Sequence, residues 1–354
     1  MKEILFCRGG EYANNEMFNL KNKFLNRDDT LRPAYELKKE LEKKGVEIKT
    51  ADLAENFEEA KAFVFFDMPK KPEEKDYFER AKKAGKNNLY AILYEPPATR
   101  KDNYEKGRHE GFRKIMTWND GFVDGKKYLK GNFTIPYKEG ERIKIEKREF
   151  GKRKLLCMIT ANKYSSHPQQ LYTKRREAVK WMEREHPKDF DLYGQRWDLP
   201  VIHSNLLENI GVNNIGKLMH KLNLKMWKNL MYSSYRGGVR NKKEVMSGYK
   251  FCVCFENQQN VKGYVTEKIF DAFFAGCVPV YLGASNIEKY VPKKCFIDMR
   301  KFNGIKEMYD EISGIREGEF EKYLDEIEEY LNGKKSRQFK IDWFIENFKK
   351  MVEI

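Results

Sequence analysis

Two adjacent charged residues at the start of a predicted helix raise the first chemical question. Residues 263–283, GYVTEKIFDAFFAGCVPVYLG, predict a short helix that begins near Glu267 and Lys268, a glycine stop and a buried strand. Because a helix N-terminus carries roughly +0.5 of an elementary charge, Glu267 is favourable there and Lys268 is not. Backbone N–H groups point out of the same turn. A cation beside these groups is typical of a phosphate site, and an ammonium group that only extends into solvent is the alternative.

Carboxylates at predicted strand ends are candidates for acid–base chemistry. Glu95 follows the apolar run AILY and precedes Pro96, which favours extended backbone for the preceding residue. We therefore expect Glu95 to project from a strand end, beside Tyr94 and poorly solvated, with a raised pKa suited to a general base. Asp67 occupies a similar place before Met68-Pro69. Each carboxylate could equally be an ordinary turn residue.

Predicted strands and helices alternate along the chain. Apolar runs predict strands at 3–7, 47–53, 61–69, 88–97, 154–161, 189–194 and 249–257. Helical periodicity predicts helices at 34–45, 73–86, 174–185 and 267–275. Alternation at this spacing is typical of parallel, doubly wound sheets, so we expect an α/β protein with two Rossmann-like domains facing a cleft.

The expected domain boundary lies in the charged segment 140–154, which has no helix-length apolar face. We therefore expect an N-terminal domain over residues 1–145 and a C-terminal domain over 150–330. The tail, 336–354, carries aromatic residues at helical spacing and predicts an amphipathic helix that packs across the domains.

The chain of 354 residues is strongly basic, with 69 Lys and Arg against 54 Asp and Glu and a formal charge of +15. Such a charge fits nucleic acid, an anionic membrane surface or a phosphate-bearing substrate, or it is only a solvated surface. Known nucleic-acid motifs, such as aromatic-basic patterns or zinc knuckles, are missing, so no nucleic-acid partner is expected.

Several functional classes are disfavoured by the motifs that the sequence lacks. There is no GxxxxGK[ST] and no GxGxxG after a strand, which weighs against P-loop ATPases, kinases and dehydrogenases. The five histidines show no HxxxH or HExxH spacing, and no second cysteine pair follows Cys252 and Cys254, so no metal site is expected.

A cytoplasmic location is expected, because no apolar run reaches the roughly 18–20 residues of a bilayer span and the N-terminus does not resemble a signal peptide. Most cysteines lie in apolar, strand-like runs, which is typical of reduced thiols. The basic surface leaves open a peripheral contact with an anionic inner membrane.

Residues 249–302 carry a long ordered pattern that reads YKF, FEN, YVTEK, AGCVPVYLG and FID. This pattern resembles the donor-binding segment of the bacterial-type α-1,3/1,4-fucosyltransferases, an inverting, GDP-fucose-dependent family. YEPP at 94–97 and KRREAVKWMERE at 174–185 extend the likeness over roughly residues 90–302. About one extra residue lies between FEN and YVTEK, so the resemblance assigns no role to 258–260.

The resemblance implies GT-B architecture, with an acceptor-binding N-terminal domain and a donor-binding C-terminal domain. It places the catalytic base on Glu95 and the diphosphate-binding arginine on Arg175, with Arg176 as the alternative. The donor-binding residues that it implies are Arg175, Lys242, Asn257, Tyr264, Val265, Glu267 and Lys268. No divalent metal or other cofactor would be required, because protein cations would hold the diphosphate.

The implied reaction transfers fucose from GDP-fucose to a hydroxyl of an oligosaccharide acceptor, with O3 of N-acetylglucosamine as the expected position. The product would be a Lewis-type epitope on lipopolysaccharide, although the loops at 8–33 and 97–115 could build a different acceptor pocket. The alternatives are a GT-B enzyme that uses another nucleotide sugar and a non-catalytic nucleic-acid-binding protein.

Overall fold

The computed structural model describes residues 2–85, 88–198 and 232–354 and contains two parallel sheets. The first has six strands in the order β2-β1-β3-β4-β5-β6. These strands are β1 Lys2–Cys7, β2 Val46–Thr50, β3 Ala62–Phe66, β4 Leu89–Leu93, β5 Lys114–Thr117 and β6 Tyr128–Lys130. The second has five strands in the order β11-β10-β9-β7-β8. These are β7 Lys154–Ile159, β8 Phe190–Tyr193, β9 Tyr249–Phe255, β10 Val278–Leu282 and β11 Ile297–Asp298.

Helices cover both faces of these sheets, so the central strands are apolar throughout. All residues of β4, LYAIL, and of β10, VPVYL, are buried, as expected for strands with no solvent face. In the described part of the chain the α-helices are α1 Arg32–Glu42, α2 Pro72–Lys83, α3 Tyr172–Glu185, α4 Lys242–Met246, α5 Glu267–Phe274, α6 Ile287–Tyr290, α7 Ile305–Gly314, α8 Glu317–Asn332 and α9 Ile341–Val352. The predicted α/β class with two doubly wound domains is confirmed.

The last helix, α9, returns to the first domain. Its buried face carries Phe344, Ile345 and Phe348, which join the core cluster of Ile4 and Phe6. The turn before α9 stays with the second domain, because the Phe339 ring lies 4.7 Å from the Phe270 ring of α5. The tail therefore contacts both domain cores, and its helix belongs to the first.

All of the strand pairs in both sheets are parallel, so their carboxyl ends lie at one edge of each sheet. The cleft between the domains opens at these edges, which is where doubly wound sheets bind ligands. Among the described residues, none of the helices combines the length and apolarity that crossing a bilayer requires.

Candidate functional site

A cavity of about 560 Å³ lies between the domains, beyond the carboxyl ends of β4, β7, β8 and β9. Its ionisable lining among the described residues consists of Arg27, Lys163, Arg175, Arg240, Lys242, Lys268, Glu95, Glu267 and Asp271. Six cations against three carboxylates leave a formal charge of +3. The volume is that of an ordinary ligand pocket, and the charge favours an anionic ligand.

The start of α5 explains why Lys268 is tolerated there. Thr266 is the N-cap, and its Oγ1 accepts hydrogen bonds from the backbone N–H (3.4 Å) and the Nζ (3.1 Å) of Lys268. The fully buried Glu256 accepts from Thr266 N (2.9 Å) and Thr266 Oγ1 (2.7 Å), and its Oε2 lies 3.2 Å from Lys268 Nζ. A protein carboxylate therefore already occupies part of the anion site that the sequence predicts at this turn.

The charges around Lys268 are strongly coupled. Burial acts to lower the pKa of Lys268, but Glu267 and Glu256 outweigh it and raise this pKa above its ordinary value. Burial raises the pKa of Glu256. Although Glu267 is exposed, partial desolvation at the cavity wall acts to raise its pKa, but Lys268 and Lys242 lower this pKa to about 2. Lys268 is therefore a permanent cation and Glu267 a permanent carboxylate at neutral pH.

Arg175 enters the cavity from α3 as a buried guanidinium. It is 3% exposed and donates from Nη2 to the Phe255 carbonyl (2.6 Å) and to Asn257 Oδ1 (3.1 Å). Its Nε is buried with no hydrogen-bond partner in the described part of the chain, and burial lowers the pKa of the guanidinium. Arg176, the alternative, is half-buried, donates to the Lys163 carbonyl (2.7 Å) and does not line the cavity. Of the two candidate arginines, Arg175 therefore lines the cavity, together with its partner Asn257.

Glu95 lies at the end of β4 on the opposite wall of the cleft. Burial and the nearby Asp67 raise the pKa of Glu95, while Lys163 and Lys268 oppose this shift. Asp67 accepts the backbone N–H groups of Tyr94 (2.7 Å) and Glu95 (3.1 Å) through Oδ1. Asp67 therefore holds the loop that presents Glu95, and Glu95 is the better placed of the two candidate bases.

A side-chain amide joins the Glu95 loop to the second domain. Gln258, 2% exposed, accepts the Ala98 N–H through Oε1 (2.9 Å) and donates from Nε2 to Gln169 Oε1 (3.1 Å). Ser165 Oγ donates to the Ala98 carbonyl (2.7 Å) from the same side. These bonds fix the backbone three residues beyond Glu95 relative to the donor-side wall.

Lys242 and Asp271 form an ion pair at the edge of the cavity, with Nζ 2.7 Å from Oδ2. Asp28 of the first domain lies 3.7 Å from the same ammonium. Burial raises the pKa of Asp271 to about 6 although Lys242 lowers it, and Asp271, Glu267 and Asp28 keep the pKa of Lys242 raised against burial. Lys242 therefore contacts both domains.

Two predicted donor-binding residues do not line the cavity. Tyr264 is 1% exposed, and its ring lies 4.6 Å from the Trp118 ring of the first domain. Val265, also 1% exposed, belongs to the core of the second domain. These two residues pack behind the cavity wall, and a direct contact with a ligand would require the loop to move.

Five charged residues of the site were not identified from the sequence, namely Arg27, Lys163, Arg240, Glu256 and Asp271. Glu256 ends the apolar run YKFCVCFE, and a carboxylate at the end of a buried strand could have been recognised as a site residue. Lys163 and Arg240 lie in loops without a motif, so the sequence carries no signal for them. In the part of the chain that the structure describes, His, Cys, Asp and Glu side chains form no group of three or more that could hold a metal ion.

Known proteins are similar to parts of this chain. Residues 199–347 match the family model described as glycosyltransferase family 10 (fucosyltransferase), C-terminal part. An α-(1,3)-fucosyltransferase of Helicobacter pylori is 45% identical over 74 residues, which are 21% of this chain and 15% of that protein. An α-(1,4)-fucosyltransferase of Arabidopsis thaliana is 48% identical over 63 residues, 18% of this chain and 16% of that protein. The chain therefore matches less than a fifth of the length of these curated relatives.

Solved structures share the fold over the whole chain. A crystal structure of an α1,3-fucosyltransferase covers 100% of this chain and 90% of its own at 15% identity, with a TM-score of 0.55. A DNA-modifying β-glucosyltransferase covers 100% of both chains at 10% identity, with a TM-score of 0.54. At these identities the likeness establishes the fold, which is the GT-B glycosyltransferase fold.

Proposed function

We propose that this chain, whose residues 199–347 match the family model for the C-terminal part of glycosyltransferase family 10 (fucosyltransferase), is an inverting fucosyltransferase that uses GDP-fucose. The carrying observation is an interdomain cavity whose described lining has a formal charge of +3, with the half-buried Glu95 on its other wall. A nucleotide diphosphate needs compensating positive charge, and an acceptor hydroxyl needs a base. The cavity offers both.

Arg175, Lys268 and the N-terminus of α5 are proposed to bind the diphosphate. Arg175 has only neutral acceptors among the described residues, the Phe255 carbonyl and the Asn257 side chain, so it can accept an anionic partner. Negative charge builds on the diphosphate as the sugar C1–O bond breaks, and these cations therefore stabilise the transition state more than the ground state. Because they supply this charge, the proposed reaction requires no divalent metal.

Glu95 is proposed to act as the general base. It would take the proton of the acceptor hydroxyl while the acceptor oxygen bonds to C1 and the C1–O bond to the diphosphate breaks, releasing GDP. A base and a leaving group on opposite sides of the sugar suit a single in-line displacement with inversion. The raised pKa of Glu95 brings its basicity closer to that needed near neutral pH.

Glu267 and Lys242 are proposed to complete the donor site. Glu267 is ionised and exposed at the start of α5, so its carboxylate can accept hydrogen bonds from ribose or sugar hydroxyls.

The proposed acceptor hydroxyl is O3 of N-acetylglucosamine in a lactosamine unit, which would yield a Lewis-type epitope on lipopolysaccharide.

Donor selection and product chemistry test the proposal. In a thermal-shift assay, GDP should raise the Tm more than UDP or ADP at equal concentration. With GDP-fucose and a panel of oligosaccharides, we expect an α-linked fucosyl product by NMR, formed equally well in EDTA. Stabilisation by UDP alone would assign the site to another nucleotide sugar. A β-linked product or complete loss of activity in EDTA would contradict inversion or metal-free catalysis, respectively.

The proposed location is the cytoplasm, against an anionic membrane surface. All six cysteines are buried free thiols, as is usual in a reducing compartment. Flotation with anionic but not neutral liposomes would support the membrane contact, and no flotation with either would remove it.

A further inference from the structure

A second cavity, of about 480 Å³, adjoins the proposed donor site. It shares four lining residues with the first cavity, namely Arg27, Arg240, Lys242 and Asp271. One wall is the loop at 20–29 of the first domain, and the other is formed by the start of α4 and the second half of α5 in the second. Because the two cavities are contiguous, one extended ligand can occupy both.

The second cavity is also basic. Its charged lining among the described residues consists of Lys23, Arg27, Arg240, Lys242, Lys243, Asp28, Asp29 and Asp271, a formal charge of +2. The Lys242 ammonium pairs with Asp271 at 2.7 Å and lies 3.7 Å from Asp28, so one cation serves two of the three carboxylates. Arg27 Nε also lies 3.5 Å from Asp28 Oδ2, so the positive charge that is not compensated comes from Lys23, Arg240 and Lys243.

Lys23, Arg240 and Lys243 make no ion pair with any residue that the structure describes. Lys23 belongs to the first domain and Lys243 to the second, so unpaired cations line the same cavity from both sides of the cleft. Like charges that converge across a cleft repel each other, and an anion between them removes the repulsion.

The loop that carries this wall is held in a strained conformation. Asp28 and Asp29 have consecutive positive φ values of 57° and 58°. Asn26 stabilises the turn by accepting the Leu31 N–H (3.0 Å) and donating to the Leu20 carbonyl (3.0 Å). Left-handed residues other than glycine are strained and persist where the surroundings hold them, often at ligand sites. The loop is therefore a built wall of the cavity.

We propose that the second cavity binds an anionic group, a phosphate or a carboxylate, on the acceptor glycan. This inference rests on the proposed transferase function. Glu95 lines the first cavity, and Lys23 and Lys243 line the second, so the proposed acceptor spans both, with its hydroxyl at Glu95 and its anion at the two lysines. The acceptor class is then an acidic oligosaccharide rather than a neutral one.

Paired acceptors and charge reversal test this inference. The probes are N-acetyllactosamine and the same sugar carrying either a phosphate monoester or a carboxylate. The full chain should show a KM about tenfold lower for at least one acidic form, an advantage that weakens as salt rises. The Lys23→Glu/Lys243→Glu variant should lose that advantage and keep its KM for the neutral sugar. Neither residue lines the donor cavity, so the Tm shift with GDP should be unchanged.

Matched controls separate this effect from bulk charge. Lys44 and Lys188 are exposed and precede β2 and β8, so they lie at the sheet edges opposite the cleft. Lys44→Glu/Lys188→Glu makes the same change in net charge and should leave the acidic preference intact. If both double variants weaken it equally, or if neutral and acidic sugars have equal KM, the inference is wrong.

Failure of the proposed function gives a different result. If GDP-fucose supports no transfer to any sugar, direct binding by ligand-observed NMR still compares the neutral and acidic forms. Tighter binding of an acidic sugar that depends on Lys23 and Lys243 would retain the anion site and reject the reaction. Equal binding of all three sugars would overturn the anion site as well.

Discussion

Lys268→Ala should destabilise the second domain as well as impair donor binding. Glu256 is fully buried, and the Lys268 Nζ lies 3.2 Å from its Oε2. Removing the ammonium leaves this carboxylate with the two hydrogen bonds from Thr266 and no counter-ion at that distance among the described residues. Breaking one side of a buried ion pair costs about 3–5 kcal/mol, and the hydrogen bonds that remain place the expected loss near 3 kcal/mol.

The loss should depend on pH in a direction set by Glu256. Its folded pKa is raised by burial even beside Lys268, and without that cation it should rise further. A carboxyl group whose folded pKa exceeds the unfolded value of about 4.3 destabilises the fold increasingly as pH rises towards the folded pKa. The difference in free energy of unfolding between wild type and Lys268→Ala should therefore be larger at pH 8 than at pH 5.

Urea denaturation at both pH values measures this difference, and the Glu256→Gln/Lys268→Ala variant supplies the control. Without a charge at either position, it should recover part of the stability lost at pH 8 and show little of the pH dependence. A single variant as stable as wild type at pH 8, or a deficit that does not shrink at pH 5, would refute the assignment of the pair.

Three further changes test the site. Glu95→Gln should lower kcat by about 10²–10⁴-fold with GDP affinity unchanged, and activity retained in the variant would exclude this base. Because the base must be ionised, the wild-type rate should fall on acidification through a pKa above the ordinary value of 4.5. Gln258→Ala should lower kcat with little change in GDP affinity, because the Ala98 N–H loses its acceptor; an effect on GDP affinity alone would contradict that role. Gly263→Ala should impair transfer more than Gly125→Ala, although both glycines have positive φ. An added Cβ at Gly263 would overlap the Trp118 carbonyl of the first domain, whereas at Gly125 it meets nothing within 4 Å. Equal kcat values for the two variants would show that this overlap does not disturb the placement of the domains.

Local patterns predicted the elements that carry the site. Alternating apolar runs and glycine stops indicated both sheets, and a proline after Glu95 indicated its place at a strand end, as the structure shows. Arg175 and Lys268 could be grouped because helices and strands of a doubly wound domain meet at one sheet edge. The place of Glu95 depends on its neighbours in the sequence, and the grouping of Arg175 with Lys268 depends on the topology of the sheet.

The sequence did not predict the contacts between segments that lie far apart along the chain. Asp67 was a rival base from its position alone, and only the fold shows that its carboxylate caps the backbone of Glu95. Tyr264 was expected at the ligand because it lies in a motif, but its ring packs against Trp118 of the other domain. Gln258, in the stretch that departs from the family pattern, proved to bond with Ala98 of the opposite wall. Each depends on how the two domains are placed, which no local pattern encodes.

The arrangement of charges assigns different tasks to the two main cations of the cavity. Lys268 already has a buried carboxylate partner in Glu256, so an incoming diphosphate adds to a pair that is nearly neutral. Arg175 is buried among neutral acceptors, its Nε has no partner among the described residues, and burial lowers its pKa, so it bears an uncompensated desolvation cost. A diphosphate that reaches Arg175 would relieve this cost, and Arg175→Lys, which keeps the charge but loses the planar fork, should therefore reduce the Tm shift with GDP. The stabilisation by ligand should thus depend on Arg175, and the stability of the free protein on Lys268.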